Sequence, residues 1–312
     1  MYHLFQKGIV MEIISVVPRG YCQGVVRAIQ IARQTARENR GTKVTMLGMI
    51  VHNQYVVDAC RKEGIEFVED PGKTREELLD EIDEGIVIFT AHGISPSVRH
   101  KAVSKGLQVV DASCRDVIRT HQLVTSAIED GMDVLYIGKK GHPESEGTVG
   151  LSQRVHLITC VEDVKKYPHL DRVFITNQTT LSLNDTSQII KACLQMYPSA
   201  TVAKEICNAT TIRQQAVMKL ENVDLLIVVG DPRSNNSNQL ARIGKESGIP
   251  ESLLIESAQS LNEQMVQGKN RIAVTSGSST PNELTAQVID CLKQYASTGV
   301  FEKPEPIEAS LL

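Results

Sequence analysis

The strongest constraint on the fold of this chain is a repeat in its cysteines. Cys22, Cys114 and Cys207 stand 92 and 93 residues apart. Each follows an apolar strand and a short polar turn, in EIISVVPRGYC, LQVVDASC and TVAKEIC, and each precedes an amphipathic run. Self-similarity at a fixed period marks a repeated architectural unit. The units agree further along. One apolar strand in each ends in a polar loop: VTMLGMIVHN with His52, DVLYIGKKGHPE with His142 and Glu144, and LLIVVGDPRSNNSN with Ser234, Asn235 and Asn236. Another does the same: IVIFTAHGISP with His92, VFITNQTTLS with Thr179 and Thr180, and IAVTSGSSTP with Ser279.

Short apolar strands that alternate with helical runs imply parallel sheets wrapped by helices. Helix-start chemistry follows several of the strands: Ser95-Pro96 as N-cap and first residue, Ser182-x-x-Asp185 as a cap with an acidic first turn, and Thr280-Pro281-x-Glu283 as a capping box. The expected fold is α/β, a trefoil of three pseudo-repeated modules over residues 12–113, 114–206 and 207–298, with a tail at 299–312. The first strand is free to pack in another module. Ligands of such sheets sit beyond the carboxyl ends of the strands, where the three cysteines and the polar loops lie.

A formal charge of -4 without a long basic run argues against nucleic acid or an acidic membrane surface as partner, and 4% aromatic residues with no Trp leave few stacking platforms for single strands. A small molecule is the expected ligand. Residues 1–10 carry a single Lys and no sustained apolar segment, so they do not read as a signal peptide, and Met11 stands directly before the first strand. No segment approaches the ~20 apolar residues of a spanning helix. The expectation is a cytoplasmic protein. Seven scattered cysteines without a C-x-x-C do not make a secreted disulfide framework.

A cysteine at a helix N-terminus meets free N–H groups and the positive end of the helix dipole, which favours thiolate. Three such thiolates can bind zinc with an open fourth position, or a cubane iron–sulfur cluster with one iron lacking a protein ligand. Spacing alone does not choose between them. His52, His92, His142, Thr180, Ser234, Asn236 and Ser279 are mostly hydrogen-bond donors near helix starts, which suits a phosphate or diphosphate. Glu144 is an acid among donors; partial desolvation would raise its pKa and let it deliver a proton. Cys60, Cys160, Cys193 and Cys291 read as ordinary buried cysteines. His3, His100, His121, His156 and His169 read as solvated or packed.

The segments PRGYCQGVVRAI, VHN, TAHGISP, DASC, GHPESEGTVG, NQTTLS, EICNATTIRQ, SNNSN and SGSSTP occur in the order, and near the spacing, of the 4-hydroxy-3-methylbut-2-enyl diphosphate reductase family, also called LytB or IspH. The resemblance runs from about Glu12 to about Tyr295. It implies a trefoil around one 4Fe-4S cluster held by Cys22, Cys114 and Cys207. It also implies an allylic diphosphate substrate bound by His52, His92, His142, Thr179, Ser234, Asn235, Asn236 and Ser279. Protons would come from Glu144 with Thr179 and His142, electrons from a ferredoxin or flavodoxin. The implied reaction removes the allylic hydroxyl reductively, as the last step of the non-mevalonate isoprenoid pathway.

Three positions depart from the family pattern. Arg115-Asp116 follows Cys114 where a proline is usual, Asn235 replaces a common serine, and Val26 replaces a common acid. Arg115 adds a cation beside a proposed ligand. Quinolinate synthase is similar in using three modules and three cluster-binding cysteines, but it performs no net reduction, and the HPE, QTT and SNNSN loops favour the reductase. An iron–sulfur redox sensor needs neither Glu144 nor a donor-lined anion pocket.

Overall fold

The computed structural model describes residues 11–309. The segment before Met11, with His3 and the expectation about a signal peptide, lies outside the described residues. Among the described residues, twelve strands form three four-stranded sheets, all parallel. The α/β class with parallel sheets is as expected.

The first unit of the chain, residues 22–210, holds two of the sheets. In one, β2 (Val44–Leu47) and β4 (Ile86–Phe89) are central, with β3 (Glu66–Val68) and β5 (Gln108–Asp111) at the edges, in the order β3-β2-β4-β5. In the other, β6 (Asp133–Ile137) and β8 (Val173–Asn177) are central between β7 (Val155–Ile158) and β9 (Thr201–Val202), in the order β7-β6-β8-β9. The second unit, residues 11–21 with 211–308, holds the third sheet. There β1 (Glu12–Ser15) pairs with β12 (Arg271–Ser276), then β10 (Leu225–Val229) and β11 (Glu251–Ile255). The strand order is therefore the same three times, and in each sheet the edge strand β1, β5 or β9 is the one whose chain runs on to Cys22, Cys114 or Cys207.

The central strands are predominantly apolar, with helices packed on them. Strands β2, β4, β8 and β10 are buried at every position, whereas β1 and β5 have no buried residue. Helix α5 (Arg115–Glu129), which Cys114 opens, packs Val124 and Ala127 against Val134, Tyr136 and Phe174 of the next sheet. Helix α7 (Leu183–Met196) packs Ile189, Ile190 and Cys193 with Leu135, Ile137 and Ile175. In the second unit, α9 (Asn235–Glu246) buries Leu240 and Ile243 with Leu226 and Val228.

Two of the three expected helix starts form as read. Ser95 caps α4 (Pro96–Ser104), accepting from the Val98 N–H, and Ser182 caps α7, accepting from the Asp185 N–H. The capping box at Thr280 does not form. Helix α11 (Asn282–Thr298) starts one residue later than expected, with Pro281 at its cap, and the Thr280 hydroxyl donates to the Val229 carbonyl at 3.0 Å, tying two strand ends together. Cys60, Cys193 and Cys291 are buried as read, but Cys160 is exposed, at the cap of the short turn 161–166 rather than on a packed face. Among the described residues no helix is long and apolar enough to cross a membrane.

Candidate active site

The three repeat cysteines lie in the same unit, at matching places. Cys22 is the N-cap of α1 (Gln23–Glu38), Cys114 the N-cap of α5, and Cys207 directly precedes α8 (Asn208–Met218). The backbone fixes two of them against the neighbouring strand end: the Cys114 N–H donates to the Ala91 carbonyl at 2.9 Å and the Cys207 N–H to the Thr179 carbonyl at 3.0 Å. None is in a disulfide. Gly24 supplies the space where sulfurs gather. A Cβ at that position would lie 2.6 Å from the Cys114 Sγ and 3.7 Å from the Cys22 Sγ, so no larger residue fits.

Burial pushes the Cys114 thiol up to about 11, with the Asp116 carboxylate, Cys22 and Cys207 adding to the rise, and burial also raises Cys207 against the hydrogen bonds of Thr210. The helix-end argument that favoured thiolate is outweighed for these two by desolvation and mutual repulsion. Two sulfurs that resist ionisation, with a third beside them, are what a positively charged metal group stabilises. The donor set fits such a group. Arg115 is exposed. The charge that bears on the cysteines is that of Asp116, whose Oδ2 is 3.9 Å from the Cys114 Sγ and which composition-level reading had no way to rank above its neighbour.

His52, His92 and His142 come from three different strand-end loops and meet with ring centroids 4.5, 5.4 and 5.5 Å apart. Their nitrogens lie within 4.8 Å of one another, a spacing that also suits a metal ion. The local hydrogen bonding favours anion binding. His142 caps α6 (Pro143–Val149) by accepting from the Glu144 N–H at Nδ1, 3.1 Å away, so its neutral ring carries the proton on Nε2 and presents a donor there. Burial holds His92 and His142 well below the usual imidazole range, helped by the His52 ring and by Arg75. These are neutral N–H donors, not imidazolium cations.

Glu144 follows immediately and is only 2% exposed. Thr179 binds both of its oxygens: the backbone N–H donates to Oε1 at 2.7 Å and the hydroxyl to Oε2 at 3.0 Å. Burial pushes the carboxyl up to about 7 although both Thr179 bonds pull it down. The sequence reading missed the residue that joins these two loops. Gln178 is fully buried, its Oε1 accepts from the Lys139 N–H at 2.9 Å and the Ser145 hydroxyl at 3.2 Å, and its amide donates to Thr180 at 3.2 Å. A lone Gln between Asn and two Thr carried no periodic signal.

In the second unit the loops after β10 and β12 come together. Ser234 caps α9, and its hydroxyl accepts from the Ser237 N–H at 3.3 Å, the Ser237 hydroxyl at 3.1 Å and the Ser279 hydroxyl at 3.3 Å. Asn236 Oδ1 accepts from the Ser278 N–H at 3.1 Å, and Asn235 is buried beside it. Ser237, another residue the sequence reading passed over, is wedged against Gly230 and Gly277, where a Cβ would approach its Oγ to 2.2 and 2.0 Å.

Comparison with known proteins places the chain in a family. The model of the LytB protein family matches residues 13–293. A 4-hydroxy-3-methylbut-2-enyl diphosphate reductase of Geobacillus kaustophilus is 44% identical over 309 residues, covering 96% of this chain and 97% of that protein. One of Brevibacillus brevis is 47% identical over 289 residues, covering 91% and 92%. Among solved structures, the E-1-hydroxy-2-methyl-but-2-enyl-4-diphosphate reductase of Plasmodium falciparum superposes with a TM-score of 0.85 at 30% identity over 96% of both chains. A second, described as (E)-4-hydroxy-3-methyl-but-2-enyl diphosphate reductase, the terminal enzyme of the non-mevalonate pathway, gives 0.64 at 31% identity, covering 91% of this chain and 99% of that one. With a family match over nearly the whole length, and relatives of this identity covered almost end to end, the chain belongs to the LytB family of 4-hydroxy-3-methylbut-2-enyl diphosphate reductases.

Proposed function

We propose that this chain removes the allylic hydroxyl of 4-hydroxy-3-methylbut-2-enyl diphosphate, consuming two electrons and two protons and giving isopentenyl or dimethylallyl diphosphate and water. The observation that carries the reading is the Glu144 carboxyl. It is buried, held by Thr179 and poised near neutrality, in the same unit as the three repeat cysteines and three clustered histidine rings. Held by Cys22, Cys114 and Cys207, a 4Fe-4S cluster would supply electrons one at a time and an iron without a protein ligand as Lewis acid.

The chain's own residues handle the anion and the proton. His142 donates from Nε2, and His52 and His92 stand beside it as further ring donors, so the diphosphate oxygens exchange water for fixed N–H groups that need no reorganisation. The hydroxyl and amide groups of Ser234, Asn235, Asn236 and Ser279 have the same donor chemistry and belong to the proposed diphosphate set. Glu144 with a carboxyl near 7 holds a proton for the departing hydroxyl and re-ionises readily, the match of pKa to working pH that general acids require. Thr179 fixes the direction in which that proton points. The second proton also enters through this carboxyl. A ferredoxin or flavodoxin as donor, and a cytoplasmic location, complete the proposal.

The test is an anaerobic assay of the cluster-reconstituted protein with 4-hydroxy-3-methylbut-2-enyl diphosphate and a reductant, following iron content and products together. Isopentenyl and dimethylallyl diphosphate are the expected products. A full cluster without turnover, beside an active control reductase, would sink the reading. Cys22→Ser is expected to lose iron, and unchanged iron content would remove Cys22 from the ligand set.

A further inference from the structure

His92 and His142, held in the neutral form, offer donors but no net charge, and a diphosphate stripped of water needs positive charge nearby. Resting on the reading that these histidines bind a diphosphate, we infer that Arg75, buried behind their loops, supplies standing positive charge to that anion, and that Glu69 sets how much of it is felt.

The geometry places Arg75 against all three histidine loops. Its guanidinium lies across Gly48 at the start of the loop to His52, so close that a Cβ there would sit 1.4 Å from Nη1. It lines a cleft of about 210 Å³ with Gly93, the neighbour of His92, and with Pro143, the neighbour of His142. The side chain is 8% exposed. Arg75 Nη1 donates to Glu69 Oε2 at 3.0 Å, and the same oxygen accepts from the Met49 N–H at 3.0 Å. Glu69 thus does two things: it ties the His52 loop to the guanidinium, and it cancels part of the guanidinium's charge. The field of Arg75 reaches the site, since it is among the causes that depress both His92 and His142. Lys139 acts on His142 in the same direction from the β6 loop, so Arg75 is one of two cations there and the more deeply buried.

A purely structural ion pair and a charge reservoir make opposite predictions for Glu69. Binding of inorganic diphosphate to the cluster-loaded protein, measured by calorimetry, separates them. Arg75→Met, which keeps bulk and removes charge, is expected to weaken binding about tenfold or more, and Arg75→Lys by less. Glu69→Gln, which breaks the same pair from the other side, is expected to tighten binding about two- to threefold. Parallel weakening in Glu69→Gln and Arg75→Met would overturn the inference, leaving only a loop clamp. So would an unchanged Arg75→Met, or failure of the wild type to bind diphosphate at millimolar concentration. If Arg75→Met does not fold, Arg75→Lys and Glu69→Gln still give the two signs. Product formation by the wild type is scored alongside. Opposite signs without turnover would keep the inference and sink the reductase reading, while parallel signs with turnover would sink the inference alone.

Discussion

The two polar clusters at the strand ends of this protein are made of different chemistry. In residues 22–210 the buried groups titrate: three histidines, a carboxylic acid and three thiols, with Thr and Gln side chains holding them. In residues 211–308 the groups that bond to one another are hydroxyls and amides, Ser234 with Ser237 and Ser279, and Asn236 with the Ser278 backbone, and the buried Asp231 beside them is paired with Arg233. Both kinds can donate hydrogen bonds, but the ring nitrogens, thiols and carboxyl of the first can also carry a proton. On the proposed reading, proton handling belongs to the first cluster alone, while anion holding draws on both.

The comparison breaks most visibly at Glu144. Glu144→Gln is expected to lower kcat by about 10²–10⁴ while leaving KM within a few-fold; Ser279→Ala is expected to raise KM with little change in kcat. Single-turnover kinetics on both variants decide it, and an undiminished kcat in Glu144→Gln would take the carboxyl out of the proton path. Next comes pH. The carboxyl is raised from 4.5 to about 7 in the folded protein, so its stabilising contribution is present below pH 4.5 and lost as pH rises through about 7. That is about 3 kcal/mol. Urea unfolding at pH 5 and pH 8 should show this loss in the wild type and not in Glu144→Gln, and kcat should fall above pH 7 in step. Variants of Ser234 and Asn236 should leave the pH profile where it is; a moved profile would erase the distinction between the clusters.

Two glycines sharpen it further. Gly24→Ala drives a methyl into the Cys114 Sγ, and Gly277→Ala drives one into the Ser237 hydroxyl. Each should cost about 1–3 kcal/mol of stability, but iron content should drop only in Gly24→Ala and KM should rise in Gly277→Ala. Equal iron in both would place the sulfur cradle elsewhere. The smallest effect is expected for Ser237→Ala, about 1 kcal/mol from a lost buried hydrogen bond, seen as a modest rise in KM.

Much of this was legible before the fold was seen. Unbroken apolar runs such as Leu225–Val229 and the equal spacing of Cys22, Cys114 and Cys207 announce buried parallel strands in a repeated unit, because both signals are local or periodic. The strand-end histidines and Glu144 were legible for the same reason, each standing just past an apolar run. Arg75, Glu69, Asp116, Gln178 and Ser237 were not. Their roles come from partners far along the chain, Glu69 with the Met49 N–H and Gln178 with the Lys139 N–H, and nothing in the local spacing announces a contact of that range. Thr280 erred in the other direction: its sequence satisfies a capping box, yet the helix begins after Pro281 and the hydroxyl serves to donate to a carbonyl of a neighbouring strand.

The pairing of β1 with β12 bears on how the protein is made. Glu12 stands opposite Arg271, 259 residues away, and the two also form an ion pair at 2.8 Å. During synthesis the strand that leads to Cys22 emerges well before its hydrogen-bonding neighbour. A ribosome-bound chain that has released Cys22, Cys114 and Cys207 still carries an unsatisfied leading strand until residues 271–274 appear, a sticky edge open to the wrong neighbour. Messages cut short before that point therefore yield chains with every cysteine of the repeat and no settled place for the first strand.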